Sequence, residues 1–191
     1  MTVTTAAALP AQLAAVSQEL IEARTRLATL CQELDEHGWL RRPAAGGWSV
    51  GQIVTHLNAT SEHYIPLIDE AIRTGRAQGL TARPGRLRRG LLGWALLRML
   101  EPPYRIKTST SPPFEPAVVA SMADTRERFD YLQRELLARL EAAAGLDLEK
   151  LPVQSPFSAR VSYNLYVAFA VLAAHQRRHL WQAEQTRQKQ A

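Results

Sequence analysis

Apolar residues recur every three or four positions in four long stretches of the chain, the spacing at which one face of an α-helix repeats. The first stretch covers residues 13–34, and the second begins at residue 49 and ends near residue 75. The third begins near residue 116 and ends at Gly145, and the fourth covers residues 162–187. No stretch shows the sustained alternation that is typical of a β-strand. The pattern therefore predicts four helices of roughly 25 residues each.

Residues at the ends of these stretches support the helices. Ser49 and Gln52 have the spacing of a capping box, in which each side chain accepts a hydrogen bond from the backbone N–H of the other. Gly38, after His37, predicts the end of the first helix. Pro66 lies inside the second and should bend or break it. Four apolar faces predict an all-α protein, a four-helix bundle that forms a single domain over residues 1–191.

Residues 75–116 separate the second and third predicted helices and form an insertion. Six arginines and no acidic residue occur between positions 73 and 89, which exceeds the net charge of +5 of the whole chain. These arginines are Arg73, Arg76, Arg83, Arg86, Arg88 and Arg89. The apolar residues 91–100 predict a short helix, and the prolines of residues 102–116 predict an extended loop.

Composition limits the classes of protein that this chain can belong to. Hydrophobic residues make up 46% and charged residues 21%, which is typical of globular proteins. The apolar runs are shorter than the roughly 20 residues of a transmembrane helix, and we expect no signal peptide. Cys31 is the only cysteine, so an internal disulfide is excluded and a reducing cytoplasm is expected. No helix has basic residues spaced to read a DNA groove, so we expect no nucleic-acid partner.

His175 and His179 are the sharpest chemical feature of the sequence. A spacing of four places both imidazoles on one helix face, and they continue the apolar pattern of that helix into the bundle. Burying an unpaired polar group costs about 1–3 kcal/mol. A shared metal ion would remove this cost, and so would hydrogen bonds to Gln182 or to hydroxyl groups. At this point the pattern is consistent with either arrangement.

A third ligand would have to come from another helix. His56 and His63 both lie on the inward face of the second predicted helix, about 10.5 Å apart along its axis. Only one of them can therefore join the pair. Gln176 stands where the HExxH zinc peptidases have their glutamate, so peptidase chemistry of that type is not expected.

Two segments of the sequence resemble the DinB/YfiT-like family of metalloenzymes. They are GWSVGQIVTHL at residues 47–57 and AHQRRHLWQ at residues 174–182. The resemblance implies that His56, His175 and His179 are the metal ligands, which leaves His63 as an alternative ligand. It also implies a variant up-and-down arrangement of the four helices and a homodimer.

Three imidazole ligands leave one coordination position open for water or substrate, the pattern of a catalytic metal site. Zinc, nickel and iron all suit imidazole, and the sequence does not choose among these divalent ions. Ligand rings are usually oriented by an outer shell of hydrogen-bond partners. We expect Asn58 and Gln182 to supply such partners.

Characterised relatives include transferases and isomerases that use small bacterial thiols such as bacillithiol or mycothiol. The resemblance therefore implies a metal-dependent S-transferase that acts on a small electrophilic substrate, with a low-molecular-weight thiol as cosubstrate. No catalytic group is assigned beyond a metal-bound water or thiol.

A different class of function remains open for the same sequence. The chain could be a non-catalytic metal-binding or interaction module, in which residues 73–100 contact an anionic membrane surface or a protein partner. The simpler interpretation of this segment is a solvated basic loop followed by a short helix packed on the bundle. A third use is to steer an anionic thiol towards the bundle.

Overall fold

The computed structural model describes residues 9–44, 46–103, 112–116 and 118–190. Its regular elements are, in chain order, α1 (Ala11–Gln32), α2 (Glu36–Leu40), α3 (Val50–Ala77), α4 (Gly90–Leu100), α5 (Met122–Ala143), β1 (Pro152–Gln154), β2 (Ser162–Asn164) and α6 (Leu165–Gln188). Short 3₁₀ turns occur at Pro112–Phe114 and Leu148–Lys150. The prediction of an all-α protein is confirmed, with one small hairpin added.

The four long helices α1, α3, α5 and α6 form the bundle. Helix α3 packs against α5 and α6, and α1 packs against the same two helices, so α1 and α3 lie diagonally opposite each other. Helix α4 packs on α6 from outside the bundle. Because α6 is covered on this side as well, every residue from 165 to 176 is buried.

The start of α3 follows its sequence signal. The Ser49 side chain accepts a hydrogen bond from the N–H of Gln52 at 3.1 Å, and the Gln52 side chain accepts one from the N–H of Ser49 at 3.0 Å. The predicted capping box is therefore present. Helix α3 continues without interruption through Pro66 to Ala77, so the proline does not break it.

Helix α5 begins later than its apolar pattern suggested. Its first residue is Met122 rather than a residue near 116, and the side chain of Ser121 caps it by accepting from the N–H of Asp124. Val118 continues the apolar spacing but is 81% exposed. The pattern was misleading here because Val118 lies outside the helix and packs against nothing that would bury it.

The end of α1 also differs from the prediction. Helix α1 ends at Gln32, five residues before His37. His37 and Gly38 belong instead to α2, which is capped by the side chain of Asp35. The short helix α2 therefore follows α1 at the position where the sequence predicted only the end of the first helix.

Strands β1 and β2 pair in antiparallel register, with Val153 opposite Tyr163. Each strand has three residues, which is too short for an alternating pattern to be recognised in the sequence. The last predicted helix consequently loses its first three residues to β2 and begins at Leu165.

Buried apolar side chains form two clusters along the bundle. One contains Leu13, Ile68 and Leu140, and the other contains Leu27, Ile53 and Leu180. Cys31 belongs to the second cluster, and its burial raises the pKa of its thiol. The chain's only thiol is therefore held in its neutral, unreactive form.

The insertion contains the predicted short helix, α4. Most of the predicted extended loop, residues 104–111 and 117, lies outside the described residues. The described part at Pro112–Phe114 is a 3₁₀ turn. Within the described ranges, no helix combines the length and apolar character needed to cross a bilayer.

Candidate metal centre

Three buried histidines meet where α3 packs against α6. Each of His56, His175 and His179 offers one ring nitrogen within 4.8 Å of those of the other two. The shortest measured separation joins the Nε2 atoms of His56 and His175, at 3.3 Å. The three ring centroids lie 4.4–5.1 Å apart.

The local structure explains why these rings converge. His175 and His179 are four residues apart on α6, so their side chains leave the same face of the helix. His56 lies two turns after the cap of α3, on the face that packs against α6. Two segments about 120 residues apart in sequence thus supply one cluster, which follows from helix packing.

Hydrogen bonds orient two of the three rings. The Nδ1 atom of His56 lies 2.8 Å from the carbonyl oxygen of Phe114, and Nδ1 of His179 lies 2.9 Å from Oε1 of Gln182. Both oxygens are acceptors, so each Nδ1 carries the hydrogen. In a neutral ring, Nε2 then holds a lone pair, the form that binds a metal ion.

The geometry and donor set fit a divalent ion. Two nitrogens bonded to one tetrahedral ion at about 2.0–2.1 Å lie about 3.3–3.4 Å apart. The Nε2 atoms of His56 and His175 have this separation. The Nδ1 atom of His175 is buried and has no hydrogen-bond partner in the described part of the chain. An ion bound at Nε2 of His175 would leave this Nδ1 atom unpaired, so among the described residues His175 lacks the outer hydrogen bond that His56 and His179 have.

Burial keeps the three imidazoles neutral. It is the main cause that lowers the pKa of His56, and it lowers the pKa of His175 and of His179 well below the ordinary value. Neighbouring rings and the positive charge of Arg178 lower the pKa of His175 and His179 further. Because a metal ligand must be deprotonated, this environment prepares the rings for an ion near neutral pH.

Aromatic rings surround the histidines. Trp48 lies against His56, with ring centroids 5.1 Å apart, and Phe157 lies against His175 at 5.6 Å. Phe114 contacts Phe157 at 4.5 Å. Phe114 and Phe157 were missed in the sequence because they come from proline-containing connections without helical periodicity, and the Phe114 contact with His56 is made by a backbone carbonyl.

The other predicted site residues occupy different places. Gln182 contacts His179 as expected of an orienting partner. Asn58 instead donates from Nδ2 to the backbone carbonyl of Thr125, and it makes no hydrogen bond to an imidazole among the described residues. It joins α3 to α5 because its side chain leaves α3 on that side. His63 is exposed, bonds to the carbonyl of Ala59, and lies outside the three-histidine group.

The six predicted basic residues lie outside the histidine group. Arg73 pairs with Glu70 on the surface of α3, and Arg83 lies 3.4 Å from the carboxylate of Asp147. Arg76 donates to a backbone carbonyl, and Arg89 donates to the hydroxyl of Tyr166. The cation whose charge reaches the three rings is instead Arg178, which lies on α6 between two of them.

The fold and site define a class: a helical bundle with a buried three-histidine group that could hold a metal ion between two of its helices. The family model of the DinB superfamily matches residues 19–183, and the chain belongs to that superfamily. No curated protein and no solved structure matches the sequence.

Proposed function

We propose that the protein is a divalent-metal-dependent S-transferase, an enzyme that joins a low-molecular-weight thiol through its sulfur to a small electrophile. The observation that carries this proposal is the convergence of three neutral imidazoles. Among the described residues, no cysteine or carboxylate joins this group. Three protein ligands leave a coordination position for a substrate, as in catalytic sites.

A bound divalent ion would lower the pKa of a thiol or water in the remaining position by several units, which supplies a nucleophile at neutral pH. In the proposed transfer, a bond forms between the thiol sulfur and the electrophilic carbon while the bond from that carbon to its leaving group breaks. The thiol proton and the leaving group depart together as the acid, so no oxidant or reductant is required. Zinc, nickel and iron all remain candidates for the ion.

The chain's own residues would orient the histidine rings and surround the substrate with apolar side chains. Phe114 and Gln182 hold the rings of His56 and His179 with Nε2 directed into the group. Trp48 and Phe157 place apolar rings beside the histidines, which favours an apolar part of the electrophile. No protein general base is needed in this scheme, in agreement with Gln176 in place of a glutamate.

Elemental analysis of the purified full-length chain tests the metal site. We expect about one transition-metal ion per chain, as for a three-ligand catalytic site. The variants His175→Ala and His179→Ala should lose it. His37→Ala removes an exposed histidine on α2 and serves as the matched control, with unchanged metal content. Equal metal content in all four proteins would contradict the proposed ligands.

A thiol-conjugation assay tests the reaction separately. Monochlorobimane is offered with bacillithiol, mycothiol, glutathione or cysteine to the metal-loaded protein. We expect turnover above the background rate with at least one thiol, loss of turnover with a chelator, and recovery when the metal is returned. A metal-loaded protein that shows no turnover with any thiol would remove the transferase function while leaving the metal site in place.

Three further expectations stay predictions. A single domain, a homodimer and a cytoplasmic location follow from the sequence pattern and the family resemblance. Light scattering coupled to size exclusion, with the metal-loaded protein, measures the oligomeric state directly.

A further inference from the structure

Helix α4 is apolar on both of its faces. Leu96, Leu97 and Leu100 pack against the apolar core on the inward face. On the outward face, Leu91 is 90% exposed, Trp94 62% and Met99 51%. Leu91, Trp94 and Met99 have the i, i+3, i+8 spacing of a single helical stripe, which also contains the charged Arg98. A surface helix ordinarily presents polar residues there, so this stripe is an apolar surface that nothing in the described part of the chain covers.

The stripe stands on a firmly held helix. Gly93 lies so close to α6 that an added Cβ would be 2.7 Å from a methyl carbon of Val167. Before α4, the guanidinium of Arg89 donates to the hydroxyl of Tyr166 at 3.4 Å. Directly after it, Glu101 accepts from Arg177 at 3.0 Å. Because contacts at both ends fix α4 to α6, its exposed side chains belong to a packed helix.

Positive charge lies beside this stripe. Arg86, Arg88 and Arg89 precede α4 and Arg98 lies within it, and all four are exposed. Among the described residues, no ion pair with a carboxylate involves Arg86, Arg88 or Arg98. The carboxylate of Glu149 accepts from the backbone N–H of Arg88 at 3.0 Å, and Glu101 at the end of α4 pairs with Arg177. Arg86, Arg88, Arg89 and Arg98 outnumber these two acidic residues. The surface around the stripe is therefore basic.

The apolar stripe and the neighbouring arginines together favour one kind of binding partner for this face of α4. A leucine, a tryptophan and a methionine surrounded by arginines are the features of a helix that lies in the headgroup region of an anionic membrane. A second copy of the chain fits less well, because a twofold contact through this face would bring identical arginines together. A single convex helix also offers no groove to hold a peptide.

We propose that α4, together with the arginines beside it, lies flat on an anionic lipid surface and holds the bundle there. Leu91, Trp94 and Met99 enter the boundary between headgroups and acyl chains. Arg86, Arg88 and Arg98 contact lipid phosphates and carboxylates. This role is independent of the metal centre and does not rest on the proposed reaction.

Co-sedimentation of the full-length protein with vesicles tests the proposal. We expect binding to phosphatidylcholine vesicles that contain phosphatidylglycerol, much weaker binding to phosphatidylcholine alone, and weakening as salt is raised. The double variant Leu91→Ser/Trp94→Ser should bind at least about tenfold more weakly. The double variant Arg86→Gln/Arg88→Gln should lose about fivefold for each arginine on anionic vesicles.

The double variant Leu40→Ser/Arg134→Gln is the matched control, since it removes one exposed apolar and one exposed basic side chain elsewhere. It should bind like the unaltered protein, and circular dichroism should show the same helix content in all variants. No sedimentation with anionic vesicles at low salt would overturn the proposal. So would equal binding by Leu91→Ser/Trp94→Ser. A concentration-dependent dimer that this variant abolishes would assign the face to a second copy and also overturn it.

Discussion

The three-histidine group and the outward face of α4 are opposite exceptions to the rule that polar side chains are exposed and apolar side chains are buried. At the first, polar rings lie inside the protein, and at the second, large apolar side chains lie outside it. At the histidines, the Nδ1–H groups of His56 and His179 donate hydrogen bonds to the Phe114 carbonyl and to Oε1 of Gln182. The exterior exception has no comparable cover within the described ranges. The difference shows that burial alone does not indicate function. A buried polar atom that lacks a hydrogen-bond partner, or a large apolar side chain that lacks cover, is the better indication.

The two regions also differ in how tightly the surrounding structure holds them. The histidines lie where two long helices pack against each other, so their positions are fixed by the core of the bundle. Helix α4 adds one layer outside that core and depends on a close contact at Gly93. We therefore expect changes at the histidines to be coupled to folding, and changes on the outward face of α4 to leave folding nearly untouched.

The largest expected effect is the pH dependence of stability in the metal-free protein. The lowered pKa values of His56, His175 and His179 mean that the unfolded chain binds protons that the folded chain excludes. Below pH 6.5, the free energy of unfolding should therefore fall as pH falls, by up to about 1.4 kcal/mol per pH unit for each ring. At pH 6.5 the slope is about half its maximum, and it becomes negligible about one pH unit higher.

Urea unfolding between pH 5 and pH 8 measures this slope. His175→Gln should reduce it, because a glutamine does not titrate. If His175→Gln and the unaltered chain gave parallel curves, the histidine group would not exclude protons as described.

A smaller effect is expected where α4 meets α6. In Gly93→Ala, the new methyl group would lie 2.7 Å from a methyl carbon of Val167, so the two helices must separate. Such overpacking typically costs about 1–3 kcal/mol. Hydrogen exchange should show faster exchange in α4 with little change in α3. Arg98→Lys, at an exposed position of α4, alters the same helix without adding a contact with α6 and serves as the control.

The smallest effect is expected on the outward face itself. Leu91→Ser should change the free energy of unfolding by no more than about 0.5 kcal/mol, as for an exposed position without partners. Leu97→Ser, on the inward face of the same helix, should cost about 1–2 kcal/mol because it removes a partly buried leucine from the core. Thermal unfolding of the two variants compares them directly. Equal losses would mean that Leu91 is buried in solution.

Much of the fold followed from helical periodicity and end signals. The four long helices, the short helix and the Ser49–Gln52 cap were all predicted, because each depends on local spacing. The start of α5 was not, since Val118 continues the apolar pattern although the chain is not yet helical there. A signal for the true start existed in Ser121 and Asp124, which have the spacing of a helix cap.

The candidate site was predictable only in part. The spacing of His175 and His179 and the resemblance around His56 indicated which rings to compare. The contact of His56 with the carbonyl of Phe114 was not predictable, because any residue carries a backbone carbonyl. Asn58 was assigned to the rings although it faces α5, and its neighbours on another helix cannot be read from its own sequence.

The buried position of Cys31 makes the molecule convenient for site-directed labelling. The chain has no other cysteine, and this thiol lies in the apolar core with a raised pKa, so maleimide reagents should leave it unmodified in the folded protein. A single cysteine placed at position 91 or 94 would then carry a spin label or an environment-sensitive dye without first removing the native one. The depth of α4 in a lipid layer thereby becomes directly measurable by quenching.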